Sequence, residues 1–169
     1  LRPVYETNQG LTVCHGICPR TGDYDTYRMA ALAVDEAYRA HIALGGDPER
    51  VSALDNFCWP DPIEADGVPG ARYKLAQLVR ACRGLYDTCI AYRIPLISGK
   101  DSMKNDAGTG ERRISIRPSL LVSLLGIIDD VRLAQTTDFK NKGDLIYLLG
   151  ITGRELGGSM LEYLADRDF

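Results

Sequence analysis

Ile94-Pro95-Leu96-Ile97-Ser98-Gly99-Lys100-Asp101-Ser102-Met103-Lys104-Asn105-Asp106 is the stretch around which the rest of the chain is organised. It opens as an apolar run, Ile94 to Ile97, that reads as a buried strand. Gly99 then breaks the run, and a cation, a carboxylate and a hydroxyl follow it: Lys100, Asp101 and Ser102. A strand that ends in this way has the parts to hold a phosphate-bearing ligand. Glycine lets backbone approach closely, lysine offsets phosphate charge, aspartate holds a hard cation and serine donates or accepts. The plain alternative is a polar surface loop after a strand.

Working outward, Ile114 to Leu125 alternates: Ile114, Ile116, Pro118, Leu120, Val122 and Leu124 stand against Ser115, Arg117, Ser119 and Ser123. That predicts one long strand with a wetter face, and Pro118 suggests an edge or a bulge. Between the two stretches, Lys104 to Arg113 is polar, holds Gly108 and Gly110, and reads as a mobile loop. Upstream, Leu11 to Ile17 and Val51 to Phe57 read as strands, the second carrying Asp55 and Asn56 at its C-terminal end, where α/β and α+β proteins often place ligand contacts. A turn-forming Asp-Asn pair is the competing reading there.

Two long helices complete the pattern. Asp25 or Thr26 caps a helix to about Leu44, ended by Gly45-Gly46. Its main stripe is Tyr27, Ala30, Ala31, Val34, Ala37, Tyr38 and His41, with His41 a packed core histidine rather than a ligand. Glu36 lies on a second apolar surface made of Met29, Leu32, Ala33 and Ala40. A carboxylate there is either exposed or in need of a cation, because a buried unpaired one is costly. Tyr73 to Tyr92 is the second helix, with Leu75, Leu78, Val79, Cys82, Leu85, Tyr86 and Cys89 as its stripe, so Cys82 and Cys89 read as core thiols.

After Asp129-Asp130, Val131 to Gln135 reads as one more short strand, Leu145 to Leu149 as a buried strand, and Thr152 to Ala165 as a helix opened by a Thr152–Glu155 capping box. The chain starts at Leu1, not Met, and a strand and a helix with nothing after them look like the beginning of another domain. The division expected is an N-terminal domain over 1–140 and the truncated opening of a following one over 141–169.

With 169 residues, 45% hydrophobic and 25% charged, the composition is that of an ordinary globular chain. A net charge of −3 offers no electrostatic reason to expect nucleic acid or an anionic membrane as partner. No apolar run reaches transmembrane length. Five cysteines, an odd count, read as reduced thiols in a cytoplasmic setting. Cys14, His15 and Cys18 do not make a metal site. On a strand the two thiols stand roughly 13 Å apart and the imidazole points the other way.

Several separated stretches resemble one family. They are Ser98-Gly99-Lys100-Asp101-Ser102-Met103-Lys104-Asn105, Leu54-Asp55-Asn56-Phe57-Cys58-Trp59, Ala33-Val34-Asp35-Glu36-Ala37 and Leu156-Gly157-Gly158-Ser159, with Asn8-Gln9-Gly10, Pro19-Arg20 and Tyr73-Lys74-Leu75-Ala76-Gln77-Leu78 in support. Together they resemble the phosphoribosylformylglycinamidine synthases of the aminoimidazole-ribonucleotide-synthetase-like superfamily, specifically the N-terminal domain of the second of two homologous synthase halves. The resemblance implies an α+β fold: a mostly antiparallel sheet of about four strands with two long helices on one face. Such sheets pair into a barrel on dimerisation, with nucleotide and Mg²⁺ sites at the seam. It implies a ligase that uses ATP and ammonia to convert formylglycinamide ribonucleotide to its amidine. The partners implied are the homologous half and a glutaminase domain or subunit that supplies ammonia, and a homodimer of this chain would substitute for the missing half.

Carried over by position, the resemblance implies Glu36 and Asp101 as Mg²⁺ ligands. Lys100 and Ser102 lie against phosphate or substrate, Gly99 lines the same loop, and Asp55 and Asn56 border it. No catalytic residue is implied in this stretch. Family members often carry Asn four residues after the helix glutamate; Ala40 stands there, which puts a third metal ligand in doubt. The rival readings are a nucleotide site that serves stability without turnover, and another ATP-using enzyme of the superfamily of the selenophosphate or thiamine-phosphate type.

Overall fold

The computed structural model describes residues 1–108 and 112–165. Strands β1 (Gly10–Ile17), β2 (Val51–Cys58), β3 (Leu96–Ser102) and β6 (Ser119–Ile128) form one sheet in the order β1-β6-β2-β3. β6 is antiparallel to both β1 and β2, and β3 is parallel to β2. The short strands β4 (Asp106–Ala107) and β5 (Ile114–Ser115) form a separate antiparallel pair. Helices α1 (Thr26–Ala43) and α2 (Ala71–Tyr92) pack together, and α1 lies against β1 and β6. The expected α+β class with a four-stranded, mostly antiparallel sheet is what is found.

The core follows from the pleat. Leu120, Val122, Leu124 and Ile128 of β6 are buried, as are Val51, Ala53 and Phe57 of β2 and Cys14 of β1. They share the helix side of the sheet, where Met29, Ala30, Ala33, Val34 and Ala37 of α1 meet them. The two apolar surfaces read on α1 therefore merge into one face. Its cap is Asp25, whose side chain accepts from Tyr27 N at 2.9 Å. Backbones come close enough that glycine is required at two crossings. A Cβ on Gly16 would stand 2.1 Å from Ala33 O, and one on Gly84 would stand 2.2 Å from Tyr27 O. His41 is fully buried, as expected of a core histidine. Nδ1 meets Thr12 Oγ1 at 2.6 Å and Nε2 meets the Asp47 carbonyl at 2.8 Å.

Several expectations are corrected. Ile94 is buried, but it precedes the strand. β3 itself runs through Gly99-Lys100-Asp101-Ser102 along the edge of the sheet, with Leu96 to Asp101 all exposed. β2 supplies a partner for those polar residues, so pairing overrides the glycine as a strand stop. The long strand is split. Pro118 sits one residue before β6, where its missing N–H breaks no ladder bond, and β6 is central rather than an edge. Val131–Leu133 is a 3-10 turn rather than a strand, with Asp130 accepting from Arg132 N. The flanks of the expected mobile loop form the β4–β5 pair, and its residues 109–111 lie outside the described residues. On α2 the expected stripe holds at Leu85 and Cys89, with Leu78 packed against the core, and fails at Leu75, Val79, Cys82 and Tyr86. Ala81, Leu85 and Cys89 are buried, while Val79, Cys82, Tyr86 and Ile90 are exposed. Small Ala81 and Gly84 allow the close approach to α1, and that approach decided which face turned inward.

Leu145 to Leu149 form no strand and are exposed, Leu149 to 91%. An apolar run becomes a strand only where another strand satisfies its backbone, and none lies beside it among the described residues. The last helix is α3 (Met160–Ala165) alone. Gly158 at φ 78 stops any earlier helix, and the cap is Ser159, whose Oγ accepts from Glu162 N at 3.2 Å.

Candidate functional site

β2 and β3 are parallel, so their C-terminal ends point the same way, and the register sets Asp55 beside Gly99, Asn56 beside Lys100, Phe57 beside Asp101 and Cys58 beside Ser102. Six of the seven residues expected at the site thus stand on one strand pair. The pleat then divides them, because successive side chains take opposite faces. Asp55, Gly99 and Asp101 share the helix side with Phe57. Asn56, Lys100 and Ser102 share the open side.

On the helix side a pair of carboxyls forms. Burial and the neighbouring Asp101 carboxyl push the Asp55 carboxyl above the usual carboxylate range, although its own backbone N–H works the other way. Gly99 leaves this carboxyl its place, since a Cβ at that position would stand 2.6 Å from Asp55 Oδ1 and push the side chain aside. A carboxyl that a neighbouring acid makes harder to ionise is a poor arrangement for a bare protein and a good one for a divalent cation. The same pair bears on α2. Burial first, then Asp101 and Asp55, raises the Cys82 thiol; burial and Asp55 push the Cys89 thiol to about 11. On the open side Lys100 Nζ donates to Ser102 Oγ. Asn56 Oδ1 is buried with no hydrogen-bond partner among the described residues, an acceptor that a ligand donor would satisfy.

Glu36 is elsewhere. Its Oε2 accepts from Ile17 N at 2.8 Å and lies 3.7 Å from Cys18 Sγ, at the end of β1. β1 and β3 are the two outer strands, three strand spacings or roughly 14 Å apart. A single chain therefore does not bring Glu36 and Asp101 to one ion; the carboxyl that meets Asp101 is Asp55. The helix periodicity placed Glu36 on an apolar face, but it could not say which sheet edge that face would reach. The Cys14–His15–Cys18 stretch holds no metal set either. Cys14 is buried, His15 is exposed on the opposite face, and burial together with Glu36 pushes the Cys18 thiol to about 11. Among the described residues no group of three His, Cys, Asp or Glu side chains could hold a metal ion, and all five cysteines are free.

Beyond the strand ends a polar knot that the sequence reading missed closes the site. Asp106 Oδ2 accepts from Asp61 N at 2.9 Å and from Arg113 Nη2 at 2.7 Å, and Arg113 Nη2 also reaches Asp61 Oδ2 at 3.3 Å. Burial works to raise the Asp106 carboxyl, but Arg113, Ser115 and the Asp61 N–H outweigh it and hold it at about 2. The only signal in the sequence was a pair of acids and an arginine in two separate loops, which spacing alone does not connect. A carboxylate depressed on folding contributes stability above its unfolded pKa and loses it as pH falls through the folded value. Wild-type protein should therefore lose stability from about pH 4 down to pH 2, and Asp106→Asn should lose less over that window. Urea midpoints measured across those pH values check this; parallel curves for the two proteins count against it.

Residues 4–128 match the family model described as AIR synthase related protein, N-terminal domain. The chain belongs to this family. Among curated relatives of the AIR synthase related domain, it is 36% identical over 159 residues to phosphoribosylformylglycinamidine synthase subunit PurL of Gloeobacter violaceus, covering 94% of this chain and 19% of that protein. It is 32% identical over 167 residues to the same subunit of Picrophilus torridus, covering 98% and 20%. The chain thus spans about a fifth of the length of these relatives. Among solved structures, phosphoribosylformylglycinamidine synthase II of Thermotoga maritima superposes with a TM-score of 0.62 at 20% identity, over 80% of this chain and 20% of that one. T. maritima PurL complexed with AMPPCP and with FGAR gives 0.60 at 20% identity and 0.56 at 23%, over 78% and 76% of this chain and 20% and 19% of theirs. At those identities the structures establish the shared fold.

Proposed function

We propose that this chain is a nucleotide-binding part of a phosphoribosylformylglycinamidine synthase, the ATP- and glutamine-dependent ligase of purine biosynthesis. The observation that carries the reading is the Asp55–Asp101 carboxyl pair, backed by Gly99 and flanked by Asn56, Lys100 and Ser102 at the ends of two parallel strands. Mg²⁺ accepts one or two carboxylates and completes its shell with water and phosphate oxygens, so Asp55 and Asp101 fit it with no third protein ligand. When bound, the ion would offset phosphate charge on ATP. Lys100 and Ser102 would contact phosphate or substrate from the open side, and Asn56 Oδ1 would accept a ligand donor. A ligand that engages both sets does so around the strand ends and the free edge of β3, where the pleat no longer separates them.

ATP would activate the amide oxygen of formylglycinamide ribonucleotide for displacement by ammonia. The ammonia would come from a glutaminase domain or subunit, and the remaining machinery from the homologous half. The open face of the sheet carries Leu11, Val13, Ile17, Leu121, Leu125 and Ile127, none of them buried. In this reading that face closes a barrel with the homologous half, or with a second copy of this chain. Glu36 would reach a cation only across that seam. The division at about residue 140 and a cytoplasmic setting, consistent with free thiols, belong to the same proposal.

Titration of the purified chain with Mg²⁺ and AMPPCP should show nucleotide binding that EDTA abolishes, and light scattering should show a dimer. Mixed with ATP, ammonium and formylglycinamide ribonucleotide, the chain alone should form no amidine. Binding that ignores Mg²⁺ removes the cation role, a monomer removes the barrel between copies, and amidine formation overturns the division of labour.

A further inference from the structure

Directly after β3 the backbone takes a conformation that its residue does not favour. Lys104 has φ 60, in the left-handed region, where a side chain crowds the following carbonyl. Arg93, at φ 56, closes α2, where such a residue is routine. Lys104 ends no helix. A strained residue persists only where its surroundings over-determine it, and here they do. Ser102 O accepts from Trp59 N at 2.8 Å and from Asn105 Nδ2 at 2.9 Å, and Asn105 N donates to Trp59 O at 3.0 Å. Asp106 follows at once, with 5% of its side chain exposed, and is held by Arg113 and by the backbone N–H of Asp61. Trp59 Nε1 donates to Lys74 O, and Lys74 Nζ donates to Ser115 Oγ, so α2 joins the same knot. Arg113 Nε is buried with no hydrogen-bond partner among the described residues.

We propose that Asp106 and Arg113, with Asp61, are positioning residues that hold the strained turn at Lys104 and thereby keep the Lys100–Ser102 end of β3 aimed at its ligand. The inference rests on the nucleotide-binding reading above and adds the device that fixes its geometry. Held strain is a form of preorganisation. It sacrifices stability to keep one backbone arrangement, and a displacement of about 1 Å at a site is enough to lose much of its function.

Lys104→Gly tests this because the two roles predict different pairs of outcomes. Glycine removes the left-handed penalty and also the exposed Lys104 Nζ–Asp61 Oδ2 contact at 4.0 Å, which is worth little in solvent, so the melting midpoint should rise by about 2–4 °C. If the turn were only structural, Mg²⁺–AMPPCP affinity would not change. If the strain positions β3, affinity should fall by about threefold to tenfold while stability rises. Arg113→Lys keeps the charge and loses the planar fork, and should weaken binding in the same sense. Hydrogen exchange supplies a readout that needs no ligand: amides of Gly99 to Ser102 should exchange faster in both variants, with β1 and β6 unchanged. Wild-type protein that binds no Mg²⁺–nucleotide would sink the functional reading, and the exchange rates would still decide the positioning claim. Unchanged exchange at Gly99–Ser102 in Lys104→Gly, or unchanged affinity in a wild type that binds, overturns the proposal.

Discussion

Trp59→Ala is expected to destabilise the fold by about 3–5 kcal/mol, the range for emptying a large aromatic site in a core. Against a domain stability of about 5–15 kcal/mol this is enough to lower the melting midpoint by roughly 10 °C or more. Trp59 is fully buried, stands edge-on to Phe57 at 5.9 Å between ring centroids, and donates from Nε1 to the Lys74 carbonyl at 2.9 Å. It also carries backbone bonds to Ser102 and Asn105, so it joins β2, β3 and α2 at the end where the site lies. Trp59→Phe retains most of the ring volume and loses the indole donor, and should cost about 1–3 kcal/mol through the carbonyl left bare. Trp59 is the one tryptophan in the chain, so the measurement is urea unfolding followed by circular dichroism. Trp59→Ala within about 1 kcal/mol of wild type, a shift ordinary for any substitution, would remove this account of the core.

Asp101→Asn should separate folding from binding. It keeps the shape of the side chain and removes one of the two charges that face each other across β2 and β3. Loss of partners that merely orient metal ligands already weakens metal affinity by about 10–100-fold, so loss of a ligand itself should reduce Mg²⁺–nucleotide affinity by at least about tenfold. The pH dependence has a definite sign. Asp55 has a folded pKa above its unfolded one, so the folded state binds the proton more tightly, and stability falls as pH rises between the two values. Asp101→Asn removes one cause of that elevation. The variant should therefore titrate Asp55 at lower pH and, without metal, be no less stable than wild type at neutral pH. In wild type, protons compete with the cation, so Mg²⁺ affinity should fall as pH drops through the raised Asp55 pKa. Melting midpoints with and without Mg²⁺–AMPPCP, with carboxyl chemical shifts of Asp55 against pH, check both halves. A variant that keeps the full Mg²⁺–nucleotide stabilisation would show that Asp101 holds no cation.

Much of this architecture was legible in one dimension because its signals are local. The alternation in Leu120, Val122 and Leu124, the Asp25 cap, the spacing of Ala30, Ala33, Val34 and Ala37, and the burial of His41 all depend on neighbours a few residues away, and each was met in the structure. The Ser98–Asn105 and Leu54–Trp59 stretches fall on the paired ends of β2 and β3. What failed depended on partners far along the chain. The family resemblance pairs Glu36 with Asp101, and nothing in a linear pattern says that β1 and β3 lie on opposite edges. Glycine and charge disfavour a strand over Gly99–Ser102, whereas β2 alongside outweighs that preference. Apolar Leu145–Leu149 predicts a buried strand, yet no strand lies beside it among the described residues. The sequence by itself determined where polar and charged residues gather and which helix and strand faces are largely apolar, since period and side-chain type are properties of the chain. The tertiary structure alone decided that Asp55 meets Asp101, that the pleat sets Lys100 and Ser102 on the other side, and that Asp61, Asp106 and Arg113 converge. Those are distances between segments, set by sheet order and register.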